Sequence, residues 1–400
     1  MEWILEICFA VLRALAQPFV YLFIGLLLVS GYYRIKQDRQ SFGIKIFSYF
    51  DEQKRTWQIS LISGLLLSII SVGIGFVVTW PLIILLATVV AILSLFRRFF
   101  FLSASYIIGI SYIAAYVITQ LRLAFLPSNW IDSFEQINFN YIPLLIALLL
   151  IIEGILLSRT KPDDTYPEIT KSLRGKYLGR HRMKKIALVP FFALLPAGMI
   201  EPFAEWWPFL QVNGESYGLI LIPYIVGFEH AVRNSIPKHG ARWIATKVFI
   251  LASVMVVLSI VSYFYQVVVV ISAIIAIAGR LIIQYWFRMH DQNQQSVFKL
   301  GGEGIFVLGV MPNSTAAHLQ IEPGDRIVKV NGIPVTNEHE FYHAVQQNRA
   351  FCKLAIIDLN GEIRFSKSPL FEDDHHELGV LLVKDNDPID WSTDQQSTKP

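Results

Sequence analysis

Pro323-Gly324-Asp325-Arg326-Ile327-Val328-Lys329-Val330-Asn331-Gly332 carries three local signals in a row. Proline presets φ and glycine tolerates positive φ, so Pro323-Gly324-Asp325 turns the chain. Ile327, Val328 and Val330 then favour a strand, and Asn331-Gly332 is the strongest short hairpin signal. Upstream, Gly304 to Met311 is strand-like, Pro312-Asn313-Ser314 turns, and Thr315 to Leu319 can form one helical turn. Downstream, Asn337 caps a helix to Asn348, with Glu340 in capping-box position and Phe341, Ala344 and Val345 on one face. Cys352 to Leu359 reads as a strand, Asn360-Gly361 as a turn into Glu362–Phe365, and Leu378 to Val383 as a last strand. Residues 304–384 are therefore a small α+β module, with 288–303 as a polar linker and 385–400 as a disordered tail.

Pro312, Ser314, Ala316, Gly324-Asp325, Ile327 and Val330-Asn331-Gly332 resemble a bacterial PDZ domain of the kind attached to HtrA-like proteases and secretion proteins. That family usually has Gly-Leu before the Gly-Asp turn, where His318-Leu319-Gln320-Ile321 stands here. PDZ domains bind by strand addition, and a backbone nest captures the peptide carboxylate. Leu378-Gly379-Val380 has the pattern of such a nest, Gly309 is a second candidate, and Tyr342 on the helix is expected to face the groove.

Outward from the module toward the N-terminus the chain is apolar. Hydrophobic residues make up 54% of the whole and charged residues 16%, against about a quarter charged in soluble proteins. A helix needs roughly 20 apolar residues to cross hydrocarbon. Such runs lie at 14–33, 59–79, 82–96, 99–120, 141–157, 186–200, 218–232, 243–264 and 267–287, giving eight or nine spans within residues 1–287. The expected architecture is a polytopic α-helical membrane protein followed by the PDZ module. Residues 1–13 read as an amphipathic prelude, and the N-terminus has no signal-peptide pattern. Cys8 and Cys352 read as packing residues, far apart in sequence and in different modules.

The net charge of +3 hides a segregation. Lys and Arg gather in loops 34–58, 158–185 and 233–242 and at Arg97-Arg98. The opposite loops, 126–140 and 201–217, hold Asp132, Glu135, Glu201, Glu205 and Glu215 with no Lys or Arg. The exceptions are Arg13 and Arg122, near outer span ends. Cations resist translocation, so the basic loops and the PDZ module are expected in the cytoplasm, with the N-terminus outside. Trp130, Trp206 and Trp207 suit the outer interfacial belt. The basic loops also suit anionic lipid headgroups, and no feature points to nucleic acid.

A zinc intramembrane protease needs HExxH, and the sequence has none; Glu229-His230 has no second histidine at that spacing. Gly214-Glu215-Ser216-Tyr217-Gly218 spells GxSxG but lacks the strand-turn-helix setting of a nucleophile elbow. No catalytic residue, metal site or cofactor is assigned. Within the spans, Arg280 is expected to pair with Glu153 or Glu229, because membrane charges need partners. Helix-breaking Pro190, Pro196 and Pro223 keep open a small-solute transporter with a regulatory PDZ module, and the module itself keeps open a protease relative or adaptor.

The whole layout resembles the MinJ family of cell-division topology proteins from rod-shaped Gram-positive bacteria. The resemblance rests on Gly31-Tyr32-Tyr33-Arg34-Ile35-Lys36-Gln37-Asp38-Arg39 with Phe42 and Lys45-Ile46-Phe47, the multi-span body and the single C-terminal PDZ module. It implies a non-enzymatic scaffold at the division septum and cell poles. That scaffold would bridge the marker DivIVA to the MinC–MinD inhibitor of division-ring assembly.

Overall fold

The computed structural model describes residues 2–122, 126–171, 177–202, 207–208, 216–293, 304–348, 351–358, 361–369 and 378–382. The N-terminal body begins with α1 (Glu2–Ala16), α2 (Pro18–Phe42), α3 (Trp57–Ile74), α4 (Trp80–Ser94), α5 (Ala104–Leu121), the short α6 (Ser128–Glu135) and α7 (Ile142–Ser158). Glycines close two of them: Gly43 and Gly75 take positive φ and donate back to Arg39 and Ser71 carbonyls. A three-stranded antiparallel sheet follows, made of β1 (Thr165–Lys171), β2 (Tyr177–Ile200) and β3 (Tyr217–Val232). The helical pair α8 (Pro237–Phe264) and α9 (Val267–Asn293) completes the body.

Among the described residues, six helices are long and apolar enough to cross a membrane. They are α2, α3, α5, the segment Phe139–Ser158 that contains α7, α8 and α9; α4 is apolar but shorter. The expected spans 186–200 and 218–232 are not helices. They lie in β2 and β3, which pair antiparallel, so two of the expected eight or nine helical spans are corrected to strands. The chain still crosses the body and returns: Lys185 lies at the Lys54 end of α3, and Leu194 at the Phe76 end.

Proline disfavours a helix in both segments. Inside a helix it deletes a hydrogen bond and clashes with the preceding turn. In the hairpin, Pro190 faces Pro223, and a position whose N–H points away from the partner strand tolerates proline. The outward edges remain to be satisfied, because buried backbone groups in hydrocarbon need partners. On the β2 edge, Ser68 Oγ accepts from Phe192 N–H at 2.9 Å and Ser71 Oγ donates to the Phe192 carbonyl. Gly64 lets the α3 backbone approach Pro190 where a Cβ would collide with its carbonyl. Beyond α3, Leu194 exchanges 2.8 Å bonds with Phe76 and Val78. On the β3 edge, Gln17 donates to Leu221 O (2.8 Å) and Arg13 to Leu219 O (2.6 Å), while Glu6 accepts from Leu219 N–H (3.1 Å).

The exceptional outer cations are paired. Arg13 bonds Glu6 and Arg122 bonds Glu135, each at 2.9 Å. Trp207 is buried, meets the Tyr217 ring edge-on and donates to Val72 O at 2.8 Å. Trp206 lies outside the described residues, as do Glu205 and the Gly214-Glu215 part of GxSxG. Cys8 is exposed on α1 and so is not a packing residue, whereas Cys352 is buried.

The module consists of β4 (Ile305–Val310), α10 (Thr315–His318), β5 (Arg326–Val330), β6 (Ile333–Pro334), α11 (Glu338–Gln346), β7 (Phe351–Ile357), β8 (Ile363–Pro369) and β9 (Val380–Leu382). The sheet order is β8-β7-β5-β4-β9, with β6 on β5. Asn337 Oδ1 accepts from Glu340 N–H at 2.8 Å, and Glu340 accepts from Thr336 N–H at 2.7 Å. Where the PDZ pattern has glycine, Gln320 takes positive φ and Arg364 holds its carbonyl. The expected linker is shorter than residues 288–303: α9 continues through Asn293, and Asp291 accepts from Arg233 N–H (2.9 Å) and Asn234 N–H (3.2 Å). Residues 294–303 and the expected tail 385–400 lie outside the described residues.

Candidate functional site

β9 is an edge strand, and its head is the expected nest. Leu378 and Gly379 both take positive φ, 51° and 77°, a curved turn of the kind that gathers backbone N–H groups. The turn is pinned from behind: Met311 N–H donates to Gly379 O (2.8 Å) and Ala316 N–H to Leu378 O (2.9 Å). Leu378 and Val380 are buried in the module core with Phe341, Ala344 and Val345 of α11. Tyr342 packs partly buried against that core, edge-on to Phe341.

A side chain at Gly379 would run into Ser314, which accepts from Ala317 N–H and donates to Met311 O. Gly379→Val is therefore expected to unfold this corner, costing about 2 kcal/mol or more through overpacking and left-handed strain. Thermal denaturation of full-length protein checks it; an unchanged module transition would refute the tight fit.

The module does not hang free. Leu381, on the face of β9 opposite the core, is buried with Ile46, Phe47 and Tyr166 of the body. Gly309 approaches Pro167 so closely that a Cβ would lie 2.9 Å from its Cγ. This cradle is built by a polar network at the end of α2. Arg34 pairs with Glu52 at 2.6 Å, Ser30 donates to Glu52 at 2.7 Å, and Arg34 also bonds Ser48 O. The Arg34 guanidinium lies over the Tyr166 ring at 4.8 Å, and Tyr166 meets Phe47 edge-on at 5.0 Å. Asp38 bonds the backbone of Ile46 and Phe47. Lys185 pairs with Asp164 (3.4 Å) and donates to Lys54 O (3.0 Å). Spacing in the sequence does not reveal that the 31–47 stretch folds back as a seat for a module some 260 residues away.

His181 lies at that junction. Thr165 Oγ1 is 2.8 Å from its Nδ1, and the ring meets the Leu308 backbone. Burial pushes its pKa down to about 4, partly opposed by the Leu308 bond. The ring is thus neutral when docked and ready to protonate when exposed. Docking is expected to be strongest above pH 6.5 and to weaken toward pH 4, by at most about 2 kcal/mol at pH 5 where undocking fully exposes the ring. Rate-corrected hydrogen exchange at Ile46, Phe47 and Leu308 at the two pH values measures it, and His181→Gln should erase the pH dependence.

Within the helices, Arg280 and Glu153 are fully buried and 2.6 Å apart. Ser103 Oγ donates to the other Glu153 oxygen at 2.6 Å, His230 Nε2 is 3.3 Å from Arg280, and Phe100 lies beneath the guanidinium. Glu229 stands apart, accepting from Phe99 N–H (3.0 Å) and pairing with Arg182 (3.3 Å). The four elements α5, α7, α9 and β3 are tied at one point. The described residues contain no group of three or more potential metal ligands.

The PDZ-domain family profile matches residues 287–359. The cell division topological determinant MinJ of Bacillus subtilis is 34% identical to this chain over 96% of it and 97% of that protein. The chain belongs to the MinJ family. The probable cell division topological determinant MinJ of Lacticaseibacillus paracasei is 24% identical over 60% of the chain and 64% of that protein. A crystal structure of the PDZ domain of an SdrC-like protein from Listeria monocytogenes is 20% identical, covering 21% of this chain and 93% of that one, with a TM-score of 0.18. The family match takes in the membrane body as well as the PDZ module, so the cradle lies within the shared sequence.

Proposed function

We propose that this chain is a non-enzymatic scaffold for division-site placement. It sits in the cell membrane with the basic loops and the PDZ module in the cytoplasm and the N-terminus outside. It bridges a DivIVA-like marker of poles and septa to a MinC–MinD inhibitor, so that division-ring assembly is confined to midcell. The observation that carries this is the match to the MinJ of Bacillus subtilis along nearly the whole of both chains. Apolar helices joined to a PDZ module support the same reading. The groove beside β9, headed by Leu378, Gly379 and Val380 and flanked by Tyr342, takes a peptide or an internal strand of a partner. The pair Arg280–Glu153 is structural, because both members are sealed from solvent.

The test is fluorescence localisation of the full-length protein in a rod-shaped Gram-positive cell, with and without the pole marker. Enrichment at septa and poles that disappears without the marker is expected. Uniform membrane signal in both strains would reject the bridging role.

A further inference from the structure

Where α4 and α9 end on the cradle side of the body, the structure leaves a cavity of about 510 Å³ beside the bases of β2 and β3. Arginines dominate its lining, and the two carboxylates present are already engaged. Glu229 holds Phe99 N–H and Arg182, and Asp291 holds the backbone N–H groups of Arg233 and Asn234. Arg180 and Arg182 share Glu168 at 2.7 and 2.8 Å. Arg97, Arg98, Arg233 and Arg288 are exposed and have no ion pair among the described residues; Arg97 lies over the Tyr33 ring at 4.6 Å. Beside Arg97, the guanidiniums of Arg98, Arg233 and Arg288 have neither an acid nor a ring partner among the described residues and are spare planar donors, matched to phosphate oxygens.

The rim indicates how that phosphate arrives. Leu95 and Phe96, at the end of α4, are 77% and 62% exposed. On α9, the exposed Tyr285 and Trp286 lie in the same turn as Gln284 and Arg288, which line the cavity. Aromatic residues followed by a cation at the end of an apolar helix mark the headgroup level of a bilayer. Apolar groups beside the guanidiniums give acyl chains a surface that a soluble phosphate does not need.

We propose that this cavity binds the phosphate of an anionic phospholipid headgroup from the inner leaflet. The proposal rests on the membrane orientation above and is independent of the division partners.

The test uses full-length protein in mixed vesicles with spin-labelled phosphatidylglycerol or phosphatidylcholine. The parent protein is expected to immobilise phosphatidylglycerol preferentially. Arg98→Gln/Arg233→Gln/Arg288→Gln should weaken that association by about fivefold per arginine, on the order of a hundredfold together. Lys36→Gln/Arg39→Gln/Arg242→Gln removes the same charge from exposed positions of the same end and should keep the preference. Should the site triple not fold, as judged by its melting transition, Arg98→Gln and Arg288→Gln singly carry the same expectation at about fivefold each. Equal association of both triples with phosphatidylglycerol would overturn the site. Binding of inorganic phosphate without any lipid preference would overturn the lipid source. A parent protein that associates with neither lipid would overturn the proposal together with the membrane orientation, leaving the localisation result to stand separately.

Discussion

Arg280→Leu is expected to destabilise the membrane body by about 3–5 kcal/mol, because it leaves a buried carboxylate without its counter-charge. Glu153 has no exit to water, and Ser103 alone cannot compensate an ion in that setting. The double variant Arg280→Leu/Glu153→Leu should recover most of the loss, since removing both charges also removes the cost of burying them. It should not recover all of it, because Ser103 and His230 lose partners. Thermal unfolding in detergent, compared across the two singles and the double, reads the coupling directly. If Arg280→Leu melts like the parent, the pair is not the tie between α5, α7, α9 and β3. A conducting or transporting site would behave differently, because a watery pathway would solvate the stranded carboxylate.

The PDZ module was legible because its signals are local. Asn331-Gly332, the Asn337 cap and the Pro323-Gly324 turn each act over a few residues, and the structure places every one as a turn or cap. Arg280 and Glu153 were legible for a different reason: charge in an apolar helix demands a partner, though only the fold selects Glu153 over Glu229. The hairpin was not legible. Residues 186–200 and 218–232 are apolar runs whose periodicity does not separate a buried strand from a buried helix. What makes them strands is Ser68, Ser71, Gly64, Gln17 and Glu6, all more than a hundred residues away in sequence. The facing prolines 190 and 223 were the available hint, since both drop a donor on outward edges. Residues Gly31 to Phe47 carried the family resemblance, but their use as a cradle depends on Tyr166 and Leu381, which only the assembled fold brings to them.

Gly309→Leu is expected to lift the PDZ module off its cradle while leaving the module folded. Gly309 lies in β4 with ordinary extended backbone, so a side chain there brings no φ strain. Within the module its nearest neighbour would be the movable Leu381 tip at 3.3 Å; across the junction it meets the rigid Pro167 ring at 2.9 Å. Four more carbons do not fit between the strand and that ring. Overpacking of this kind costs about 1–3 kcal/mol, enough to weaken docking by roughly 5- to 160-fold. Hydrogen exchange should quicken at Ile46, Phe47 and Tyr166, while the β5 and β7 amides keep their protection. Unchanged protection at the cradle would show that the module is held elsewhere. The outcome bears on recognition, because β9 has its core face filled by Val380 and Leu382 and its other face seated through Leu381. A strand added to β9 would therefore lie beside the cradle as well as beside α11. A partner that binds the docked protein more tightly than the Gly309→Leu variant reads both surfaces, whereas equal binding would confine recognition to the module.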